Sequence, residues 1–215
     1  MTTVANELLK CCICGKESPQ GLICSTNTMG APDLDFRPPE MQRGTMPYWV
    51  QRCPGCGYCA ADLSAENTTA KDIIQTKVYK DQLKNKSYPK LANSFLCQSL
   101  ILESDKALNT AGWAVMHAAW VCDDAKKKDA MRELRIRAVG LFRKALEMGQ
   151  EIMEGEPEDM LVIIDALRRA GQFEEAMKEC DESLQLEYHI SEVGQAYKFE
   201  KLLIAIKDTA CHTFE

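Results

Sequence analysis

Two copies of one short pattern, Cys11-Cys12-Ile13-Cys14-Gly15 and Cys53-Pro54-Gly55-Cys56-Gly57, constrain this chain more than any other feature. Each reads Cys-x-x-Cys-Gly. Two residues between the cysteines let a tight turn aim both sulfurs at one ion. The glycine after the second cysteine accepts a positive φ and leaves room for backbone N–H groups to face sulfur. Two such turns offer Cys11, Cys14, Cys53 and Cys56 as a tetrahedral set of thiolates, which suits Zn²⁺. With all four positions filled, no site is left for water, so the expected metal is structural. A segment this small and this poor in apolar residues would draw much of its folding free energy from the ion.

Two neighbouring cysteines leave the ligand set open. Cys12 adjoins Cys11, although Cys12-x-Cys14 is a poorer spacing. Cys59 extends the second pair to Cys53-x-x-Cys56-x-x-Cys59, the start of an iron–sulfur ligand run that lacks the close fourth cysteine followed by proline. Zinc is the expected metal; iron, as a cluster or a single ion, and a thiol redox pair are the alternatives. The remaining cysteines, Cys24, Cys97, Cys122, Cys180 and Cys211, read as small buried hydrophobes. The N-terminus, MTTVANELLKCC, has no charged region followed by an apolar one, so no secretory signal is expected. Nor is there an apolar run of about 18 residues that would span a membrane. The chain is therefore expected in the cytoplasm, its eleven cysteines held as thiols and metal ligands.

The chain divides near residue 64. Residues 1–64 are dense in Cys, Gly and Pro and carry a net charge of −1, leaving −5 of the total −6 for the rest. Glycine and proline at that density break helices and favour turns. Only Gly21–Ser25 and Pro47–Arg52 read as short strands. The stretch between the cysteine pairs, residues 15–52, is longer than a compact ribbon needs. It is read either as a binding surface held at its base by metal or as a solvated insert.

Residues 65–215 read as helices throughout. Thr69 with Asp72 resembles a capping box, so a helix is expected from there toward Asn85. Apolar positions at three- and four-residue spacing predict helices over Leu91–Glu103, Asn109–Asp123, Lys126–Met148, Glu158–Ala170, Phe173–Leu186 and Glu192–Thr209. Gly171 fits a left-handed cap between the fifth and sixth of these seven. Around it, Ala170-Gly171-Gln172-Phe173 followed by Ala176 looks like the turn of a tetratricopeptide (TPR) repeat. A plain helical bundle without true repeats is the alternative. The expected fold is thus mainly α, a helical-hairpin, TPR-like array with a small N-terminal zinc-ribbon-like module.

Several segments together resemble the bacterial domain-of-unknown-function 2225 family. They are Cys11–Gly15, Asp35-Phe36, Tyr48–Tyr58 with its Trp49 and Cys-Pro-x-Cys-Gly-Tyr run, Ala118-Ala119-Trp120, and Leu167-Arg168-Arg169-Ala170-Gly171 with Glu175-Ala176. The second cysteine pair is the most specific of these. The resemblance implies a cysteine-bound element joined to a TPR-like half, with Cys11, Cys14, Cys53 and Cys56 as ligands and Cys12 and Cys59 outside the set. Residues Gly21–Arg43 depart most from the family pattern. No activity follows from the resemblance.

No catalytic signature is present: no phosphate loop, no dinucleotide fingerprint, no nucleophile elbow, no His-Glu-x-x-His. Of the three histidines, His117 sits among Trp113, Met116 and Trp120 and reads as a satisfied core residue. His189 and His212 read as solvated. An acidic balance disfavours phosphate-backbone binding, and Lys126-Lys127-Lys128 is too short for a nucleic-acid patch. The expectation is a non-enzymatic interaction protein whose helical groove takes a protein or peptide partner. A nucleic-acid-associated zinc ribbon and an iron–sulfur or thiol redox sensor are the alternatives. The sequence leaves the partner and the oligomeric state open.

Overall fold

The computed structural model describes residues 1–153, 156–185 and 192–214. Two antiparallel hairpins open the chain. In the first, β1 (Thr3–Lys10) pairs with β2 (Glu17–Ser25), with Lys10 opposite Glu17 at the tip. In the second, β3 (Gln51–Arg52) pairs with β4 (Cys59–Ala60). The cysteine pairs are the two hairpin tips. Strand β1 was not expected, and the expected strand Pro47–Arg52 survives only at its last two residues. Pro47 instead lies in a 3₁₀ helix, Arg43–Tyr48, since proline cannot donate to a sheet ladder.

Eight α-helices follow among the described residues: α1 (Ala70–Ile73), α2 (Lys77–Leu83), α3 (Lys90–Ser104), α4 (Leu108–Asp124), α5 (Lys128–Glu147), α6 (Glu156–Arg169), α7 (Phe173–Leu184) and α8 (Glu192–Ala205). The single helix expected from Thr69 is two. Thr69 makes no capping bond there; Asn67 Oδ1 accepts from Ala70 N instead, at 2.8 Å. Thr76, whose Oγ1 accepts from Tyr79 N at 3.2 Å, starts a fresh helix. A side chain that caps a new helix competes with continuation of the old one. The other six helices lie within a few residues of their expected bounds; Leu186, the expected end of α7, lies outside the described residues.

The helices stop in one recurring way. Ala107 N donates to Leu102 O and Lys106 N to Glu103 O; Lys127, Gln150, Gln172 and Asp208 N–H groups repeat the pattern on Cys122, Ala145, Leu167 and Leu203. The left-handed residue is Gly149 or Gly171 after α5 and α6, and Lys106, Lys126 or Lys207 after α3, α4 and α8. This paired closure satisfies carbonyls that the helix end leaves free. It also turns the chain back within a few residues, so each helix from α2 to α8 packs on the next, and α6 also reaches α8. The architecture is mainly helical with a small antiparallel two-stranded sheet near the N-terminus. No helix among the described residues is long and apolar enough to cross a membrane.

One buried cluster runs unbroken from Cys11 and Leu34 through Leu63, Tyr79, Phe95, Trp120 and Phe142 to Ile204. Between α6 and α8 it holds charge. Arg168 is fully buried; its Nε donates to Glu200 at 2.7 Å and its Nη2 to Asp165 at 2.5 Å. Burial, then the Asp165 charge, raises the Glu200 pKa from 4.5 to about 9 against the pull of Arg168. A protonated Glu200 can donate to Asp165, which answers Asp165 Oδ2 and Glu200 Oε1, otherwise without hydrogen-bond partners. The folded state thus binds a proton that the unfolded state gives up, so stability declines as pH rises from about 4.5 to about 9. Urea unfolding followed between those limits should show that decline, and Glu200→Gln should flatten it; an unchanged slope in the variant would place the titrating group elsewhere.

Candidate metal centre

The two hairpin tips are built alike. Cys11 N donates to Lys16 O at 3.0 Å and Gly15 N to Cys11 O at 2.8 Å; Cys53 N donates to Tyr58 O at 2.8 Å and Gly57 N to Cys53 O at 3.0 Å. Gly15 and Gly57 have φ of +72° and +80°, which a side chain would disfavour. At Gly57 a Cβ would also fall 2.5 Å from Leu83 Cδ2. The shared turn geometry follows from the shared Cys-x-x-Cys-Gly spacing.

It brings Cys11, Cys14, Cys53 and Cys56 together, their sulfurs all within 4.8 Å of one another. Cys11 Sγ lies 3.8 Å from Cys56 Sγ, and Cys14 Sγ lies 3.6 Å from Cys53 Sγ. A tetrahedral ion bound at the usual metal–thiolate length separates its sulfurs by about 3.8 Å. None of the four is in a disulfide. The set is a group that could hold a metal ion.

The electrostatics agree with that use. Burial opposes the Cys53 thiolate, yet N–H groups of Cys56 and Gly55, with the Cys14 and Cys11 thiols, bring its pKa down to about 7; Gly55 N approaches its sulfur at 3.3 Å. Burial pushes the Cys11 thiol up, against N–H groups of Cys14 and Ile13. Burial likewise pushes Cys56 up, and the other three thiols add to the rise. Four thiolates this close repel one another, and a cation among them removes that penalty.

The two ambiguous cysteines lie outside the group. Cys12 is exposed and its N–H is bound to Leu63 O at 2.8 Å. Cys59 is buried against α2 and α3, its N–H bound to the Tyr79 hydroxyl at 3.0 Å. That hydroxyl in turn donates to Gly57 O at 3.0 Å, so one tyrosine fastens the second tip to α2. Of the cysteines expected to be buried, Cys97, Cys122 and Cys180 are, while Cys24 and Cys211 are exposed.

The insert between the cysteine pairs does not lie free. Asp35 reaches the interior of the helices and is fully buried. Its Oδ2 accepts from Arg169 Nη1 at 2.6 Å, Trp120 Nε1 at 2.8 Å and Arg135 Nη2 at 3.4 Å. Burial opposes its carboxylate, but the Arg169 and Arg135 guanidiniums outweigh it and hold the pKa below the usual range. Asp123 Oδ2 accepts from the same two arginines at 2.9 and 2.6 Å, and Arg37 pairs with Asp124 at 2.6 Å. Three arginines thus face three aspartates. The C-terminal residues close over this segment: Leu34 N donates to His212 O at 2.9 Å, and Phe36 stacks on Phe214 at 5.3 Å.

Residue-by-residue reading of the sequence missed this ion cluster, because no local pattern marks a loop aspartate that pairs with helices far along the chain. The resemblance did touch it: Asp35, Trp120 and Arg169 all lie in the segments that carried that likeness. His117 is partly buried as expected, but no described residue hydrogen-bonds its ring, so it is not satisfied in the way the sequence suggested. His212 is half-buried beside Asp208, at 3.1 Å, rather than solvated. His189 lies outside the described residues.

Among known proteins, the chain matches over residues 5–209 the model of a family described as an uncharacterized protein conserved in bacteria, DUF2225. No curated protein and no solved structure matches it.

Proposed function

This chain belongs to the DUF2225 family, and we propose that it acts as a non-enzymatic scaffold in which structural zinc staples residues 1–64 and a TPR-like array, residues 65–215, binds a protein or peptide partner. The observation that carries this reading is the closed four-thiolate group, Cys11, Cys14, Cys53 and Cys56. A metal held by four cysteines has no open position for water or substrate, so it supports structure rather than catalysis. Zinc is favoured over an iron–sulfur cluster because the four sulfurs lie at the spacing of a single ion, with Cys12 and Cys59 left out. Eleven free cysteines fit a reducing compartment, the cytoplasm.

The TPR-like reading is supported by Gly171, left-handed at the turn between α6 and α7, and by Ala176, fully buried where the helices touch. The chain's own segment 32–37 already crosses α4 to α6, so the partner belongs at the other end of the array. There Phe173, Met177 and Ile204 line an open cleft of about 660 Å³, rimmed by Glu174, Lys178, Asp181 and Glu182, with Asp181 already paired to Lys201 and Glu182 to Lys178. An apolar segment fits that chemistry.

Two measurements test the reading. Elemental analysis of protein purified without oxygen should give one zinc per chain and no colour. Iron with a charge-transfer band would overturn it and turn attention to electron transfer. Crosslinking in cells should place a partner on α7, and Met177→Asp should remove it while metal content and helicity stay unchanged. Crosslinks that ignore the substitution would refute the cleft.

A further inference from the structure

We propose that the pocket walled by the chain's three tryptophans binds an uncharged planar ring molecule that presents a hydrogen-bonding edge. Trp49 from the insert and Trp113 and Trp120 from α4 all line one open pocket of about 450 Å³, with Phe36 and Pro38 on the insert side. That size and that apolar, aromatic lining are those of small-molecule sites. His117 forms part of the wall. Its ring centroid lies 5.0 Å from those of Trp49 and Trp120 and 6.1 Å from that of Trp113.

The chemistry of the pocket follows from which polar groups are already used. Trp49 Nε1 donates to Thr45 Oγ1 at 2.8 Å, Trp113 Nε1 to Ile152 O at 2.9 Å, and Trp120 Nε1 to Asp35 Oδ2 at 2.8 Å. The indoles therefore offer no donor to a ligand; Trp49 and Trp113, half-buried, present ring surface, while Trp120 is almost wholly buried behind them. Thr28 and Gln42 also bring polar side chains to the lining, but His117 is the one that stands among the indoles. No described residue hydrogen-bonds its ring, and its surroundings lower its pKa to about 3 through burial, only weakly opposed by Asp35. It is neutral, so one ring nitrogen donates and the other accepts.

Charge excludes the other ligand classes. The Arg37 guanidinium carbon, 6.0 Å from the Trp120 ring centroid, already takes up a face of that ring, so a cationic ligand does not find it free. No residue that lines the pocket carries a positive charge, so an anion would find no partner there. What remains is a neutral ring that stacks on indole and exchanges a hydrogen bond with imidazole.

Nicotinamide is a suitable probe, being an aromatic ring with one amide edge. Cyclohexanecarboxamide keeps the amide without the π system, and tetramethylammonium supplies a cation without an edge. Saturation-transfer NMR and tryptophan fluorescence on the metal-loaded full chain should show nicotinamide binding roughly tenfold tighter than either comparator. His117→Phe, which keeps a ring and removes both nitrogens, should weaken it by roughly tenfold with helical circular dichroism unchanged. Should that variant fail to fold, Trp113→Phe serves the same comparison through the stacking wall. No saturation transfer to nicotinamide, equal binding of the saturated amide, preference for tetramethylammonium, or full affinity in the folded variant would each overturn the proposal.

Discussion

Cys53→Ser is expected to release the metal almost completely and to unfold both hairpin tips while α4 to α7 stay folded. Cys53 contributes more than one of four ligands. Its sulfur accepts from Gly55 N at 3.3 Å and faces the Cys14 sulfur at 3.6 Å, so it holds the second turn as well as the ion. Structural zinc, the metal proposed for this group, contributes on the order of 10 kcal/mol to small domains, because the unfolded chain offers no preformed site. Neither β1–β2 nor the two-residue pair β3–β4 has enough buried apolar surface to persist alone. Hydrogen exchange should therefore accelerate across residues 3–25 and 51–60, with α2 loosened through Tyr79, whose hydroxyl binds Gly57 O and Cys59 N. Residues 33–37 should keep their protection, since Arg135 and Arg169 hold Asp35 without help from the metal. Collapse of the helical circular dichroism in Cys53→Ser would contradict this picture.

Asp35→Ala should be the most damaging substitution away from the cysteines. It leaves Arg135 and Arg169 buried, with Asp123 shared between them and one carboxylate lost. It also strips the Trp120 indole N–H of its acceptor. Removing one partner of a buried charge cluster costs about 3–5 kcal/mol, which in a chain of this size lowers Tm by roughly 10 °C. Asp35→Asn should cost less, because the amide oxygen still accepts from Trp120 and Arg169. Asp181→Ala is a useful comparison. Its bridge to Lys201 is exposed on both sides, and such a pair is screened by water and contributes little. Thermal unfolding of the three variants should rank them in that order; equal effects at positions 35 and 181 would mean the buried cluster contributes nothing special.

The helical half was legible because its signal is local. Leu134, Ala138, Leu141 and Ala145 repeat at the period of a helix that buries one face, and α5 buries those residues. The metal group was legible for the same reason, since each pair of thiols lies within one tight turn. What escaped had partners distant in sequence. Nothing near Asp35 announces Arg169. Strand β1 has no strict alternation, because its hairpin is exposed on most of its surface and only weak burial selects its residues. The split between α1 and α2 turned on a choice between Asn67, Thr69 and Thr76 as caps, which propensity alone does not rank.

The placement of Asp35 also orders the events of synthesis. Its bonds to Trp120, Arg135 and Arg169 span 85, 100 and 134 residues. At ribosomal speeds of about 5–20 residues per second, the two cysteine turns leave the ribosome several seconds before Arg169 does. An ion that joins the turns early shortens the search that Asp35 must make later, because a tethered loop loses less entropy on docking than a free tail. The nascent chain would thus wait with its insert already looped and its aspartate short of Arg169, and the last part of α6 to emerge would complete the ion cluster.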